Sequence, residues 1–373
     1  MNLGFDAKRA FLNPSGLGNY SRTLLKSLFN LYPENNYSLF TKENSNSDFL
    51  KFIAGKKNIF ICSPQNGLAK MFPSLWRSFE ITGDLVKRGL SVYHGLSNEL
   101  PLNIGNFKGK KIVTVHDLLF LRYPGFYSIT DRIIYRHKTE SACRNADSVI
   151  SVSEQTKLDL MEYLSVPEKK IKVIHQGCSE SFFREPTSEK MENVKAKYKL
   201  PSSYLLSVGT IEERKNLVVL IKALRNVRDI PLFVIGKKTK YILNVLSEIK
   251  KLKLEDRVFF TENVDSEDLP FIYRSAEVFV YPSLFEGFGI PVIEALASGT
   301  PVITSRGSCF PEAGGPGSVY VNPEDPEELS SVLNKILFSA EIKKKMSVTG
   351  YEHSKKFHPE LAARRTMQIY LDS

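Results

Sequence analysis

The sequence predicts an α/β protein made of two parallel-sheet units facing each other across a cleft. Three observations carry this. The chain has 373 residues, which at a hundred to two hundred residues per domain suggests two domains. Short β-rich runs alternate with helical stretches, the pattern of βαβ construction. The alternation pauses over Gln176–Pro201, a polar, lysine-rich stretch that reads as an inter-domain link, and then restarts.

In the first half the strand candidates are Asn2–Asp6, Tyr37–Thr41, Asn58–Cys62, Ser91–His94, Lys111–Val115, Ser148–Val152 and Ile171–Ile174. Helical segments between them include Asn19–Leu31, Asp131–Asn145 and Glu154–Leu164. In the second half Tyr204–Val208, Leu232–Ile235, Val258–Phe260, Val278–Tyr281 and Pro301–Thr304 read as strands. Asn216–Arg228, Lys240–Lys251, Ser266–Ser275 and Ile290–Ser298 read as helices. A last helix, Pro359–Leu371, is expected to cross back onto the first domain. The expected domains are 1–176 with 358–373, and 177–357.

Composition narrows the class. Hydrophobic residues make up 42% and charged residues 25%, as in ordinary globular proteins. No apolar run reaches bilayer-spanning length. Asp6, Lys8 and Arg9 interrupt the position where a signal peptide needs its apolar stretch, so a cytoplasmic protein is expected. Cys62, Cys143, Cys178 and Cys309 are scattered, which predicts buried free thiols and no zinc site. Net charge is 51 − 41 = +10; residues 1–186 hold 25 − 17 = +8 and residues 187–373 hold 26 − 24 = +2. A basic first half suggests an anionic partner or simply a basic surface.

Four constellations lie just after strands, where parallel sheets bind ligands. Asn13-Pro-Ser-Gly-Leu-Gly-Asn-Tyr20 precedes a helix; Gly16 and Gly18 permit close backbone approach of a phosphate, or form a plain strand–helix turn. Thr114-Val-His-Asp-Leu118 puts His116 and Asp117 at a strand end, where imidazole could bond a sugar hydroxyl or a neighbouring loop. In Ser207-Val-Gly-Thr-Ile-Glu-Glu-Arg-Lys-Asn-Leu217, Gly209 allows a turn and places Arg214 and Lys215 at a helix start. Two cations at the positive end of a helix dipole are unfavourable, and an anion such as a diphosphate would relieve the conflict. The strongest is Pro282-Ser-Leu-Phe-Glu-Gly-Phe-Gly-Ile290, with Glu286 before a Gly-Phe-Gly turn and Glu294 on the helix that follows.

At these residues the chain resembles glycosyltransferase family 4, retaining nucleotide-sugar enzymes of the GT-B fold. Glu286 to Glu294 matches the family's E-x7-E signature, Arg214-Lys215 its Arg/Lys pair, Gly16-Leu-Gly-Asn-Tyr20 its first glycine loop, and His116 its acceptor-domain histidine. Val173-Ile-His-Gln-Gly177 is similar to its V-I-x-N-G turn, with Gln176 in place of Asn. The resemblance implies roles. Glu294 would bind the donor ribose, and Arg214 and Lys215 the diphosphate. Glu286 and the amides of Gly287, Phe288 and Gly289 would hold the hexose, and Gly16, Gly18 and Gly209 would shape the donor site. His116 would meet the sugar near its anomeric carbon. It implies no metal and no cofactor, the nucleotide sugar being a substrate. By position alone His94 and Asp117 are expected near the acceptor.

The expected activity moves a hexose, from GDP-mannose before a UDP-hexose, to a glycan or lipid-linked glycan of a surface polysaccharide. A non-catalytic sugar-nucleotide-binding subunit and a nucleotide-sugar epimerase of the same fold are the alternatives. Nucleic-acid binding is not expected. The stretch Leu68–Thr82 joins Trp76, Met71, Phe72 and Phe79 to Lys70 and Arg77, a pattern suited to an anionic membrane face at the inner leaflet or to core packing.

Overall fold

The structure is a computed structural model and describes residues 1–14, 16–42, 47–64, 70–185 and 187–372. Ser15 of the first glycine loop, Leu68 and Ala69 of the basic aromatic stretch, and Pro186 of the expected link lie outside the described residues.

The chain forms two compact units. Unit 1 is Met1–Gly177 with Pro359–Ser373, and unit 2 is Cys178–His358. Unit 1 holds seven strands: β1 (Asn2–Asp6), β2 (Asn36–Phe40), β3 (Ile59–Cys62), β4 (Val92–Gly95), β5 (Lys110–Val115), β6 (Ser148–Ser151) and β7 (Ile171–Val173). Their order is β3-β2-β1-β4-β5-β6-β7. Unit 2 holds β8 (Leu205–Val208), β9 (Leu232–Ile235), β10 (Val258–Thr261), β11 (Val278–Tyr281), β12 (Val302–Ser305) and β13 (Ser318–Val321), in the order β10-β9-β8-β11-β12-β13. Every pairing between these strands is parallel.

Both sheets are buried on two faces, which is why their strands read as apolar runs without polar alternation. In unit 1, Leu3, Phe5, Ile112 and Ile150 pack on one side beside Leu25, Leu28, Ala363 and Tyr370. Tyr93, Val113, Val115 and Val149 face the other side with Trp76 and Leu160. The last helix, Pro359–Leu371, packs within unit 1 against the helix Gly16–Leu31. Unit 2 is built around Leu205, Leu220, Leu232, Val280, Ile303 and Leu333.

The strand order reverses direction once in each sheet. In unit 1 this occurs between β1 and β4, and in unit 2 between β8 and β11. Loops leaving adjacent strands there depart to opposite faces and open a crevice, the usual ligand position in such sheets.

The expected link spans the boundary: Gln176 and Gly177 end the first segment of unit 1, and its described residues from Cys178 onward belong to unit 2. Ser188–Tyr198 is a helix capped by Thr187, whose hydroxyl accepts from Lys190 N at 3.3 Å. Lys190 and Lys197 both reach the buried carboxylate of Asp268, at 2.9 and 2.6 Å. Lysine-rich helices look like linkers in sequence; here two of the lysines converge on one buried acid. β13 is the strand that the sequence reading leaves out. It is a half-exposed edge strand following Gly-Pro-Gly, so its apolar run is short.

Candidate functional site

The crevice between β8 and β11 gathers most of the residues singled out in unit 2. β8 ends at Val208, and Gly209 follows with φ +146°, a region that favours glycine. A 3₁₀ turn, Glu213–Lys215, leads into the helix Leu217–Leu224. Asn216 joins them in the left-handed conformation, φ +55°, which Asn tolerates better than most residues. Its amide donates to Pro282 O at 3.2 Å and Pro323 O at 2.6 Å. The turn is also tied to the loop after β11, where Leu284 N donates to Arg214 O at 2.9 Å.

Glu286 sits at the centre of this arrangement. Its Oε2 receives Arg214 Nη1 at 2.6 Å. Its Oε1 receives Lys215 Nζ at 2.5 Å, the Ser283 hydroxyl at 2.7 Å and the Tyr281 hydroxyl at 2.9 Å. Arg214 Nη2 also donates to Glu212 at 2.6 Å, and Nη1 to Phe285 O at 3.0 Å. Two cations beside a helix start thus meet an anion, a side chain of the neighbouring loop after β11.

The titration behaviour follows from this packing. Burial opposes the Glu286 charge, but Arg214 and Lys215 outweigh it and pull its pKa down to about 2. Burial likewise works against Arg214, yet Glu286 and Glu212 raise its pKa. Lys215 is lowered, since burial outweighs the help from Glu286.

Glu294 is different. It lies on the helix Ile290–Ala297, 8% exposed, and accepts from the Tyr273 hydroxyl at 3.0 Å through Oε2. Its Oε1 has no hydrogen-bond partner among the described residues. Burial pushes its pKa up to about 7, the Tyr273 bond only partly opposing this. Between the two glutamates, Gly289 caps that helix with φ +92°. The Phe288 ring is buried edge-on against Phe357, 5.4 Å between centroids. Gly287 is buried beside it.

One glycine went unrecognised. A Cβ on Gly236, just after β9, would stand 1.8 Å from Gly209 O. The β8 and β9 loops touch backbone to backbone there, and a lone glycine after a strand gives no sign of such a contact.

Unit 1 treats its predicted residues less uniformly. A Cβ on Gly18 would meet Asn13 O at 1.8 Å, so this glycine lets the helix Gly16–Leu31 lie against the preceding loop. Gly16 has open space around it. Arg22, which had no assigned role, binds that loop by donating to Ala10 O at 2.9 Å and Asn13 O at 2.8 Å.

His116 is 5% exposed and both ring nitrogens are engaged. Nε2 lies 2.8 Å from Leu96 O, which can only accept, so Nε2 carries the proton. Nδ1 then accepts from the Gln176 amide at 2.7 Å. Burial drops the His116 pKa to about 4 and keeps the ring neutral. Leu96 O therefore fixes the tautomer of His116, and Gln176, the departure from the family's turn, satisfies the remaining ring nitrogen. Asp117 is half-buried and its Oδ1 accepts from Leu119 N at 3.1 Å.

His94 does not line an acceptor pocket. It is 0% exposed, with Nδ1 2.6 Å from the Tyr370 hydroxyl and Nε2 2.8 Å from the Thr114 hydroxyl. It ties the last helix to the sheet, and burial lowers its pKa to about 3. Its place at the end of β4 suggested the crevice, but the side chain turns into the core beneath the helix.

The basic aromatic stretch divides in the same way. Trp76 is 2% exposed and packs near Phe40, so it is not a surface anchor. Arg77 turns inward to Asp6. Met71, Phe72, Leu75 and Phe79 remain exposed. All four cysteines are buried free thiols. Among the described residues no helix is long and apolar enough to cross a membrane.

Comparison with known proteins agrees with this geometry. Residues 190–353 match the model of glycosyl transferases group 1, and residues 91–182 that of glycosyltransferase family 4. The two-sheet architecture and these matches place the chain in a single class: it belongs to glycosyltransferase family 4, and it is a glycosyltransferase. Among curated relatives it is similar to O-antigen chain mannosyltransferase B of Escherichia coli, 26% identical over 286 residues, 75% of this chain and 74% of that one. It is also similar to O-antigen chain mannosyltransferase RfbU of Salmonella typhimurium, 32% identical over 225 residues, 60% of each chain. Among solved structures, Anabaena HepE in complex with UDP and glucose aligns with TM-score 0.78 at 16% identity, over 99% of both chains. At that identity the likeness speaks for the GT-B fold alone.

Proposed function

We propose that the protein is a retaining hexosyltransferase of surface-polysaccharide assembly. It would move a hexose from a nucleoside-diphosphate sugar to a glycan or lipid-linked glycan. The observation that carries this reading is the convergence of Arg214 and Lys215 on Glu286 at the crevice beyond β8 and β11. Mannose is the favoured hexose, in keeping with the O-antigen mannosyltransferases among the relatives. GDP-mannose precedes a UDP-hexose as donor; the solved neighbour holding UDP and glucose keeps the second in play.

The chemistry follows from the site's charges. As the anomeric bond to the diphosphate breaks, negative charge develops on the leaving group. Preorganised cations are most effective where such charge appears. Arg214 offers a planar fork and Lys215 a point charge, and together they replace a divalent ion in this role. A diphosphate reaching them competes with Glu286. The displaced carboxylate is then free for the hexose hydroxyls, with the amides of Gly287, Phe288 and Gly289 beside it. Glu294 Oε1 takes a ribose hydroxyl. Gly209 keeps the β8 loop clear of the phosphates.

The acceptor side includes a peripheral contact with an anionic membrane. Met71, Phe72 and Leu75 are each more than half exposed, Lys70 lies on the same stretch, and Lys87 and Arg88 follow it in sequence.

Thermal shift with a panel of nucleotide sugars, without added metal, tests the reading. One nucleotide sugar should stabilise the native protein and fail to stabilise Arg214→Ala and Glu294→Ala. With that donor, Lys215→Ala should lower kcat by about 10²-fold or more, as for loss of an oxyanion donor. Equal shifts in native protein and variants would place the nucleotide elsewhere.

A further inference from the structure

We propose that Tyr273 is a positioning residue for nucleotide-sugar binding, its hydroxyl holding one oxygen of the Glu294 carboxylate and leaving the other for the donor ribose. This rests on the nucleotide-sugar reading above, but Tyr273 belongs to none of the motifs that carry that reading. Its consequence is that donor binding expels a proton.

Tyr273 lies on the helix Leu269–Ser275, which packs against the Glu294 helix, Ile290–Ala297. Its side chain is fully buried. The ring is wedged edge-on between Phe279 of β11 and Phe182, at centroid distances of 5.2 and 5.8 Å. Its carbonyl accepts from the Thr300 hydroxyl at 2.7 Å, just beyond the end of the Glu294 helix. Tyr273 is thus fixed through its ring and its backbone, and the phenol stands 3.0 Å from Glu294 Oε2. A carboxylate only accepts, so the phenol donates.

One carboxylate oxygen is held in this way and the other is left over. Oε1 has no partner among the described residues and is not one of the unpaired oxygens sealed from solvent. With two lone pairs it can accept from both vicinal hydroxyls of a ribose. Such bonds are stronger to an ionised acceptor than to a neutral one, so the ribose selects the carboxylate over the acid.

Glu294 stands near the midpoint between those two forms. Burial favours the acid, the Tyr273 bond favours the carboxylate, and the pKa comes to about 7. The other titratable group facing it is Cys178, a buried thiol whose ionisation Glu294 opposes. Tyr281 of β11 acts on Tyr273 and not on Glu294. Among the described residues no cation acts on Glu294, in contrast to Glu286. Binding below pH 7 therefore drives a proton off Glu294. Lys215, the nearby base with a lowered pKa, could only take a proton up on meeting a diphosphate, so release marks the acid.

The test titrates the full chain with GDP-mannose and with UDP-glucose by calorimetry between pH 5.5 and 8.5. At pH 6, in two buffers of different ionisation enthalpy, the native protein should release about one proton per nucleotide sugar bound, and almost none at pH 8.5. Its affinity should fall about tenfold per pH unit below 7. Tyr273→Phe keeps the ring and its packing. It should move this midpoint up by about one pH unit or more, so that its defect at pH 7 shrinks by pH 8.5. Glu294→Gln should bind weakly at every pH, with no proton release. A Tyr273→Phe midpoint still near 7, with equal weakening throughout, would reduce Tyr273 to packing and overturn the proposal. So would the absence of proton release from native protein at pH 6. Failure of both nucleotide sugars to bind, or a native profile in Glu294→Gln, would instead overturn the donor reading beneath it.

Discussion

Unit 2 closes its strand reversal with two short loops, residues 209–216 and 281–289, while unit 1 draws on four separated segments carrying Asp6, Arg77, Glu99 and Lys138. In unit 2 the charged groups satisfy one another completely around Glu286, and nothing but an anion of comparable strength can replace that carboxylate. In unit 1 the pairing leaves an arginine donor over. One fold plan, used twice, thus yields one cluster whose charges are paired around a single carboxylate and one whose pairing leaves an arginine donor over.

The largest expected effect tests whether the unit 2 site is self-neutralised. Glu286 and Glu294 stand eight residues apart, and their environments push them in opposite directions. Glu286 titrates near 2 when folded, below its unfolded value, so it stabilises the protein above about pH 4.5 and loses that contribution as pH falls toward 2. Glu294 titrates near 7, above its unfolded value, so the folded state is favoured below about pH 4.5 and progressively penalised as pH rises to 7. Each span corresponds to something on the order of 3 kcal/mol. Tm followed against pH should fall less steeply on the acid side in Glu286→Gln, the remainder coming from Asp268, Glu277 and Glu99, which are also lowered. In Glu294→Gln it should lose its fall between pH 4.5 and 7, leaving that variant more stable than the native protein at pH 8. Parallel curves for the two variants would mean that the cations do not hold Glu286 in solution.

The next effect compares the two glycines of the first loop. Gly18→Ala places a Cβ against Asn13 O, a backbone atom that cannot step aside, and should cost about 3 kcal/mol, the upper end for overpacking. Gly16→Ala meets open space and should stay within about 0.5 kcal/mol. Urea unfolding separates them. If Gly16→Ala nevertheless lowers transfer strongly while leaving stability alone, the close approach at Gly16 belongs to a ligand and not to the fold.

The same contrast explains what could be read from the sequence. The strand runs and the unit 2 loops are local, because each motif there places its own glycines, cations and acids within a few residues. Glu286 as the partner of Arg214 and Lys215 was one step further away, since it required the β11 loop to return to the β8 loop. Unit 1's charge cluster had no local signature. Arg77 beside Trp76 and Phe79 reads as an amphipathic surface helix, and the π turn that carries both residues breaks the period on which such a reading depends. His94 failed for a related reason. Its strand-end position was correct, but the last helix, more than 260 residues later, covers it.

That covering contact is open to a direct test, with the smallest effect of the three. Tyr370→Phe removes the hydroxyl 2.6 Å from His94 Nδ1 and leaves a buried ring nitrogen without its partner. The expected cost is roughly 1–2 kcal/mol in unfolding free energy, with donor and acceptor KM unchanged. A variant with native stability but an altered acceptor KM would return His94 to the acceptor site. Lost stability with intact KM would fix its role as the bolt between the sheet of unit 1 and the helix that completes it.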